Sequence, residues 1–420
     1  MNKTNRIMGF SYFSEPKYLV RKQVSQWFQV MRKLGASAVI LESDFIKAIP
    51  EDVFICAQEN ELTPIVHFKS ELPLARKFND VAFLLDVYAR WGGSDVIFGD
   101  KPNTRTAWPT SGWHYENLVD HFLDRFIPLA NHAVRIGLTP VMAPLQPGGD
   151  YWDTAFLELF LSGLKKRHLG VILDHLILAS YGYTFRKSLS WGKGGPENWP
   201  GAKPYLTPED HEDQLGFNNF EWLRAVGRKA TGQEFPIIIL DAGQEGTQFS
   251  EPESQRSIET IQRIYQCISN DPSEILGDGS GSGSVKLFTI SLSGLNDTFG
   301  GKLTVAGLVS LFGNESADHK TGNPGQLEGG KTIAHYLLLP SHGSGVSDVI
   351  LNKVRPIIKK FHPTVGFSLE EAVLAQKVSI FPDKTLFTES TINKLRTAGC
   401  MVEILPESGI EIATLIQDVN

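Results

Sequence analysis

Cysteine is scarce in this 420-residue chain: only Cys56, Cys267 and Cys400 occur, scattered and without a C-x-x-C spacing. That excludes a disulfide framework and a cysteine-based zinc site, and reduced thiols in the cytoplasm are the expectation. Positive charge is also short, with 40 Lys and Arg against 47 Asp and Glu, a net charge of −7 and no basic run. A nucleic-acid partner is therefore not expected. Lys165, Lys166 and Arg167 stand at the end of a helical pattern, where cations suit the helix dipole. No apolar run reaches membrane-spanning length, so no membrane partner is expected. The opening MNKTNRIMGFSYF lacks the apolar core of a secretory leader. The 11 histidines form neither an HxH nor an HExxH pair, which argues against a metal centre; no cofactor is expected either. GDGSGSGS precedes a strand pattern instead of opening a helix, so it is no phosphate cradle. No G-x-S-x-G elbow follows a strand; "HGSGVSD" would open a helix and suits a ligand or anion there.

What the chain does have is a regular beat. Short apolar runs at 6–12, 37–42, 63–68, 95–99, 139–144, 175–181, 236–241 and 285–291 alternate with amphipathic stretches. Runs without alternation suit strands buried on both faces. Stretches such as "VRKQVSQWFQVMRKLG" and "YENLVDHFLDRFIPLANHAVRIG" end in Gly with basic residues nearby, a helix stop signal. Eight such units predict a (β/α)8 TIM barrel over 1–312. A Gly-rich linker or loop at 313–332 then leads to a second alternation over 333–420, a small doubly wound parallel α/β domain of four strands. The segment after strand six, rich in Gly, Pro and Trp, is too long for a simple connection.

In such a barrel the chemistry gathers at the C-terminal ends of the strands. Those ends supply Glu42 and Asp44, His67 and Lys69, then Asp100, Lys101 and Asn103. Tyr181 and Tyr183 follow strand six, and Asp241 and Glu245 follow strand seven. Trp108, Trp113, Trp152, Trp191 and Trp199 fall after strands four to six, where flat indoles could stack on sugar rings. For Trp191 and Trp199, pinning the long loop is an equal alternative.

Residues 6 to 300 resemble the glycoside hydrolase clan A barrels, through "FGDKPN" after strand four, "LASYGYTF" after strand six and "IIILDAG" at strand seven. The resemblance implies a carbohydrate ligand, a general acid/base Glu in the first motif and a nucleophilic Glu in the last. Here Lys101 stands in the first place, preceded by Asp100, and Asp241 in the second. A glycosidase needs two carboxyls, one of them protonated. Weak or lost hydrolysis is the expectation, with Lys101, Asp100 and Asp241 joined in an ion pair that holds the Lys101 pKa up. Asp100 as the acid of an inverting pair, or Glu245 reaching in, are the two ways catalysis could survive. His67, Lys101, Asn103, Trp108, Tyr181, Tyr183 and Trp191 are the expected substrate contacts, and Asp241, Asp100 and Glu245 the catalytic candidates. The competing reading is a non-enzymatic scaffold whose small domain contacts a protein partner. Residues 377–414, with "ESTINKLRTAGCMVEIL", resemble one unit of the bacterial cell-wall-binding repeat type 2.

Overall fold

The apolar runs become strands in the computed structural model, which describes residues 7–43, 48–69, 78–109, 113, 116–246, 255–270, 285–313, 331, 333–340, 348–361, 363–383 and 386–406. Eight parallel strands, β1 (Met8–Ser11), β2 (Ala38–Ser43), β3 (Thr63–Phe68), β4 (Asp95–Phe98), β5 (Thr139–Met142), β6 (Leu178–Tyr181), β7 (Ile237–Leu240) and β8 (Val285–Ser291), lie in the order β5-β4-β3-β2-β1-β8-β7-β6. The seam between β5 and β6 is joined by the bridges Val141–Ile177 and Leu145–Ser180, with the Met142 N–H donating to the Ile177 carbonyl at 2.9 Å. The sheet thus rounds into a barrel. Around it run α1 (Arg21–Lys33), α2 (Glu51–Glu59), α3 (Phe78–Arg90), α4 (Leu118–Arg135), α5 (Asp153–Lys166), α6 (Gly170–His175), α7 (Gly195–Asn198), α8 (Asn219–Thr231), α9 (Gln255–Asn270), α10 (Leu292–Thr298) and α11 (Val305–Phe312). Several strands are one or two residues shorter at an end than expected, and the start of the sixth differs most: His175 closes α6, and the strand starts only at Leu178. The apolar run "GVILDH" spends its hydrophobic residues on a short helix before the strand begins.

The second sheet contains β9 (Ile333–Leu338), β10 (Thr364–Gly366), β11 (Ala375–Ile380) and β12 (Met401–Ile404), all parallel in the order β10-β9-β11-β12. Its helices are α12 (Asp348–Phe361), α13 (Leu369–Ala372) and α14 (Glu389–Thr397). The pattern "LEEAVLAQ" predicts a helix over 369–376, but the helix stops at Ala372 because Ala375 enters β11. Leu337, Val354, Ile357 and Phe381 belong to the same continuous core as the barrel's outer layer, while Tyr336, Val378, Ile380 and Leu395 form a separate cluster. A buried polar clasp ties sheet to barrel: Glu371 accepts from the Ala48 N–H at 3.2 Å and from the Tyr336 hydroxyl at 3.1 Å. The stretch "IEIATLIQDV", whose pattern predicts a helix, most of "PSHGSG" and the Gly/Ser run at 277–284 lie outside the described residues.

The barrel interior explains how the site is positioned. Ile40, Ile65, Ile97, Val141, Ile177, Ile238 and Leu287 pack against one another as an inner cluster. Side chains on a strand alternate with period two. Two residues beyond Ile40, Ile65, Ala179 and Leu287 come Glu42, His67, Tyr181 and Thr289, and another step reaches Lys69 and Tyr183. The pairing of Glu42 with His67 across β2 and β3 fits this layering. An apolar floor therefore carries a polar upper layer at the C-terminal mouth.

Candidate functional site at the barrel mouth

The tyrosines of β6 and the segment after it frame the site. Tyr181 and Tyr183 stack with ring centroids 4.8 Å apart and planes at 12°, and both are buried. Tyr181 donates its hydroxyl to the Asp100 carboxylate. Burial and the neighbouring Asp100 charge push the Tyr181 hydroxyl well above its usual pKa, so it keeps the proton that it donates to Asp100. The Lys101 ammonium donates to the Tyr183 hydroxyl at 3.3 Å and lies 4.6 Å from the centre of the Tyr181 ring, within cation–π range.

The expected ion pair of Lys101 with Asp100 and Asp241 is not what the chain builds. Among the described residues no carboxylate lies within 4.0 Å of the Lys101 ammonium. The expected rise in its pKa is also reversed. Burial lowers it; Asp100 and Asp241 offset that loss only in part, and Lys69 adds to it. Lys101 is thus an amine held by a hydroxyl and a ring face. Its backbone is in the left-handed region, φ +46°, fixed by its N–H donating to the Pro144 carbonyl at 2.9 Å and by Thr104 Oγ1 donating to its own carbonyl at 2.9 Å.

Asp241 is the second non-glycine mouth residue in the left-handed region, at φ +52°. Such a backbone costs a residue with a side chain roughly 1–3 kcal/mol unless its surroundings impose it. The chain imposes it by returning at once: the Ala242 N–H donates to Thr289 at 2.8 Å and the Gly243 N–H to Gly182 at 3.0 Å. Asp241 lies deep in the mouth but keeps part of its surface open. Loss of hydration pushes its carboxyl up to about 6; Lys69 and Lys101 pull it down, while Glu42 and Asp100 push it further up. Lys69 meets Glu42 at 3.1 Å, and the carboxylates Glu42, Asp100 and Asp241 outweigh its burial and hold its pKa above the usual amine value. His67 is fully enclosed, its pKa lowered by burial, and Nε2 lies 3.0 Å from the Gly99 carbonyl, so Nε2 carries the proton of a neutral ring.

The Asp241 shift has a thermodynamic sign. A folded-state pKa raised from 3.8 to about 6 contributes stability that is complete below 3.8 and is lost as pH rises through about 6. Comparing urea midpoints of wild type and Asp241→Asn between about pH 4 and pH 7 should show wild type losing stability relative to the variant. Parallel pH curves would mean that the carboxyl titrates as in solvent.

Other expected contacts fall elsewhere. Asn103 is fully buried and clasps two loops: its Nδ2 donates to the Gln146 and Tyr151 carbonyls, and its Oδ1 accepts from the Gln146 N–H. Trp108 is turned into the core, with its indole N–H donating to the Pro102 carbonyl at 2.7 Å, because the short helical turn 105–107 carries its backbone inward. Trp191 donates to Asp213 at 2.9 Å under the Lys187 ammonium, 3.8 Å from its ring centre, and so pins the long loop. Burial alone would raise the Asp213 carboxyl, but Trp191, Lys187 and Thr207 together hold it below its usual value. Glu245 is buried and bonded by Arg186 Nε at 3.0 Å, facing a neighbouring cavity. The mouth thus gathers Asp100, Lys101, Asp241, Tyr181 and Tyr183 with His67 below. It leaves Asn103, Trp108 and Trp191 in structural posts.

Two features go beyond the sequence reading. The Glu42–Lys69 pair also lines a cavity of about 220 Å³ whose far wall is Ile333, Ser368, Glu371 and Leu374 of the second sheet and its helix. Tyr205, 63% exposed and at φ +63°, is held beside Trp152 with ring centroids 5.1 Å apart, its hydroxyl accepting from the Trp152 N–H at 2.7 Å. Glu42 and Lys69 stand among the strand-end residues of the sequence, but nothing there shows the cavity they line, and nothing local in the sequence marks Tyr205. Among the described residues, no group of three or more His, Cys, Asp or Glu side chains is arranged to hold a metal ion, and no helix is long and apolar enough to cross a membrane.

No family model matches the sequence, and no curated protein matches it. Among solved structures it is similar to a GH18 chitinase from Pseudoalteromonas aurantia, with 11% identity over 72% of this chain and 99% of that one and a TM-score of 0.39. A fructose-bisphosphate aldolase from Plasmodium falciparum gives 10% identity over 72% and 86%, with a TM-score of 0.39. A Bacteroidetes-affiliated GH5 cellulase gives 9% identity over 68% and 82%, with a TM-score of 0.37. With superposition at that level, the mouth has to be understood from its own residues.

Proposed function

We propose that the barrel mouth binds a carbohydrate and that glycoside hydrolysis there is weak or lost. The observation that carries this reading is the Lys101 amine, set between Tyr183 and the Tyr181 ring where the resembled family has a general acid carboxyl. A polar layer of donors and acceptors over an apolar floor suits a polyhydroxylated ligand, and exposed Tyr205 beside half-buried Trp152 offers an aromatic face at the rim for a sugar's CH face. Asp241, with a carboxyl pushed to about 6, and Asp100, held by Tyr181, are the carboxyls left to act. Glu245 is engaged by Arg186, which weighs against its reaching into the mouth. Residues 1–312 act as the ligand-binding unit in this reading and 333–420 as an accessory α/β unit joined through 313–332.

Titration with a panel of oligosaccharides, followed by tryptophan fluorescence, tests the binding half. A saturable response is expected, weakened about five- to tenfold by Tyr205→Ala, in keeping with the 0.5–1.5 kcal/mol of one aromatic contact. Silence across the panel from wild type, joined to absence of turnover, would leave the scaffold reading in its place.

A further inference from the structure

Beside the mouth, between the segments that follow β6 and β7, lies a cavity of about 170 Å³ that the carbohydrate reading does not use. Four cations line it: Arg186, Lys187, Arg256 and Arg263. Two of them are neutralised in place, Arg186 by Glu245 at 3.0 Å and Lys187 by Asp213 at 3.2 Å. Arg256 and Arg263 have no carboxylate within ion-pairing distance among the described residues; the Arg256 guanidinium donates instead to the Arg186 carbonyl at 3.4 Å. Two positive charges are therefore left over at one concave spot of a chain whose net charge is −7.

The arrangement is built by regular structure. Arg256, Thr260 and Arg263 are spaced by four and three residues on α9, so they share one face of the helix. Arg256 lies in its first turn, where the dipole also favours negative charge. The opposite wall is held by two consecutive non-glycine residues in the left-handed region, Phe185 at φ +49° and Arg186 at φ +60°. The Phe185 N–H donates to the Glu245 carbonyl at 3.0 Å, which fixes that turn against the β7 side of the cavity. Strain maintained at the lip of a charged cavity is the signature of a set geometry. The volume equals roughly five to six waters at about 30 Å³ each, enough for a tetrahedral oxyanion with a little water.

We propose that this cavity is an oxyanion site that takes a phosphate or sulfate group, held by Arg256 and Arg263 with Thr260 as a hydroxyl donor. Guanidinium forks match such oxygens in pairs, and the surplus of two positive charges matches a dianion. Many (β/α)8 barrels hold phosphate after strands seven and eight; here the cations come from the segments after strands six and seven. The site does not depend on what the mouth binds.

The test is isothermal titration of the full chain with inorganic phosphate, sodium sulfate and glucose 6-phosphate, at constant ionic strength in chloride. Saturable binding of phosphate or sulfate is expected, weakened at least tenfold by Arg263→Ala and abolished by Arg256→Ala with Arg263→Ala. Both arginines are exposed, so the variants should fold as wild type does, and unchanged circular dichroism and melting in chloride would verify that. Tighter binding of glucose 6-phosphate than of inorganic phosphate would identify an ester as the source; equal binding would identify the free ion. No saturable heat with any of the three, or binding that survives the double arginine variant, overturns the proposal.

Discussion

Lys101→Glu is expected to raise hydrolysis of an activated aryl glycoside by about 10²–10⁴-fold over the wild-type rate, the usual worth of a general acid or base. The wild-type mouth holds an amine whose pKa burial lowers, directed at the Tyr183 hydroxyl. A carboxyl in its place would complete a pair with Asp241. That pairing should also change the pH profile. Lys101 now pulls the Asp241 carboxyl down, so exchanging it for a negative charge should carry the Asp241 pKa further above about 6. Turnover that needs ionised Asp241 would then rise along a limb displaced to higher pH. Asp241→Asn on the Lys101→Glu background should abolish the gain. Robust wild-type hydrolysis that survives both Asp241→Asn and Asp100→Asn would instead move the chemistry out of the mouth. Absence of turnover from wild type and Lys101→Glu alike, with oligosaccharide binding intact, would leave a binding barrel in which the second carboxyl is too far or too badly aimed.

The barrel was legible because its strands are short, apolar and buried on both faces, so the bare run of hydrophobic residues marks them. Thr63–Phe68 and Val285–Ser291 coincide with expectation to the residue. The sixth strand did not, since the same kind of run also makes α6. The site was legible as a list of strand ends and not as a geometry. Period-two alternation carries an argument as far as His67 and Tyr181, which are on or just at the strands. Past the strand ends, direction is set by left-handed turns at Lys101, Asp241, Phe185 and Arg186, and none of these is a glycine that would have announced the turn. Lys101 was therefore placed correctly along the chain while its partner was wrong: a hydroxyl and two rings instead of a carboxylate. Glu245 shows the same limit, because its ion pair comes from Arg186, 59 positions earlier, across the mouth of the neighbouring cavity. Aromatic spacing located the loops after β4 to β6 and could not say which indole turns inward. Trp108 does so because Pro102, six residues before it, offers a buried carbonyl.

Asn103→Ala is expected to destabilise the chain by about 2–4 kcal/mol and leave the charge of the mouth untouched. Asn103 is fully buried, and its amide meets three main-chain groups within 2.8–2.9 Å: the Gln146 carbonyl, the Tyr151 carbonyl and the Gln146 N–H. An alanine removes that partner from all three; the Gln146 carbonyl keeps the Gly149 N–H at 3.0 Å, while the Tyr151 carbonyl and the Gln146 N–H are orphaned, at about 1–3 kcal/mol each before the loops relax. The loop after β4 carries Lys101 and the loop after β5 carries Asp150, whose carboxylate accepts from the Arg105 N–H at 2.8 Å, so the clasp links two walls of the mouth. Loosening it should lower the melting temperature by about 2–5 °C. Asn103→Asp should be worse, since a carboxylate would face the Gln146 and Tyr151 carbonyl oxygens with nothing to donate. Gly149 supplies an internal check. A Cβ there would lie 2.4 Å from Asn103 Nδ2 and 2.9 Å from the Asn103 carbonyl oxygen. Gly149→Ala should thus cost stability in wild type and cost less on the Asn103→Ala background, where the amide is gone and the carbonyl contact alone remains. Strict additivity of the two substitutions would mean that the packed clasp does not exist in solution.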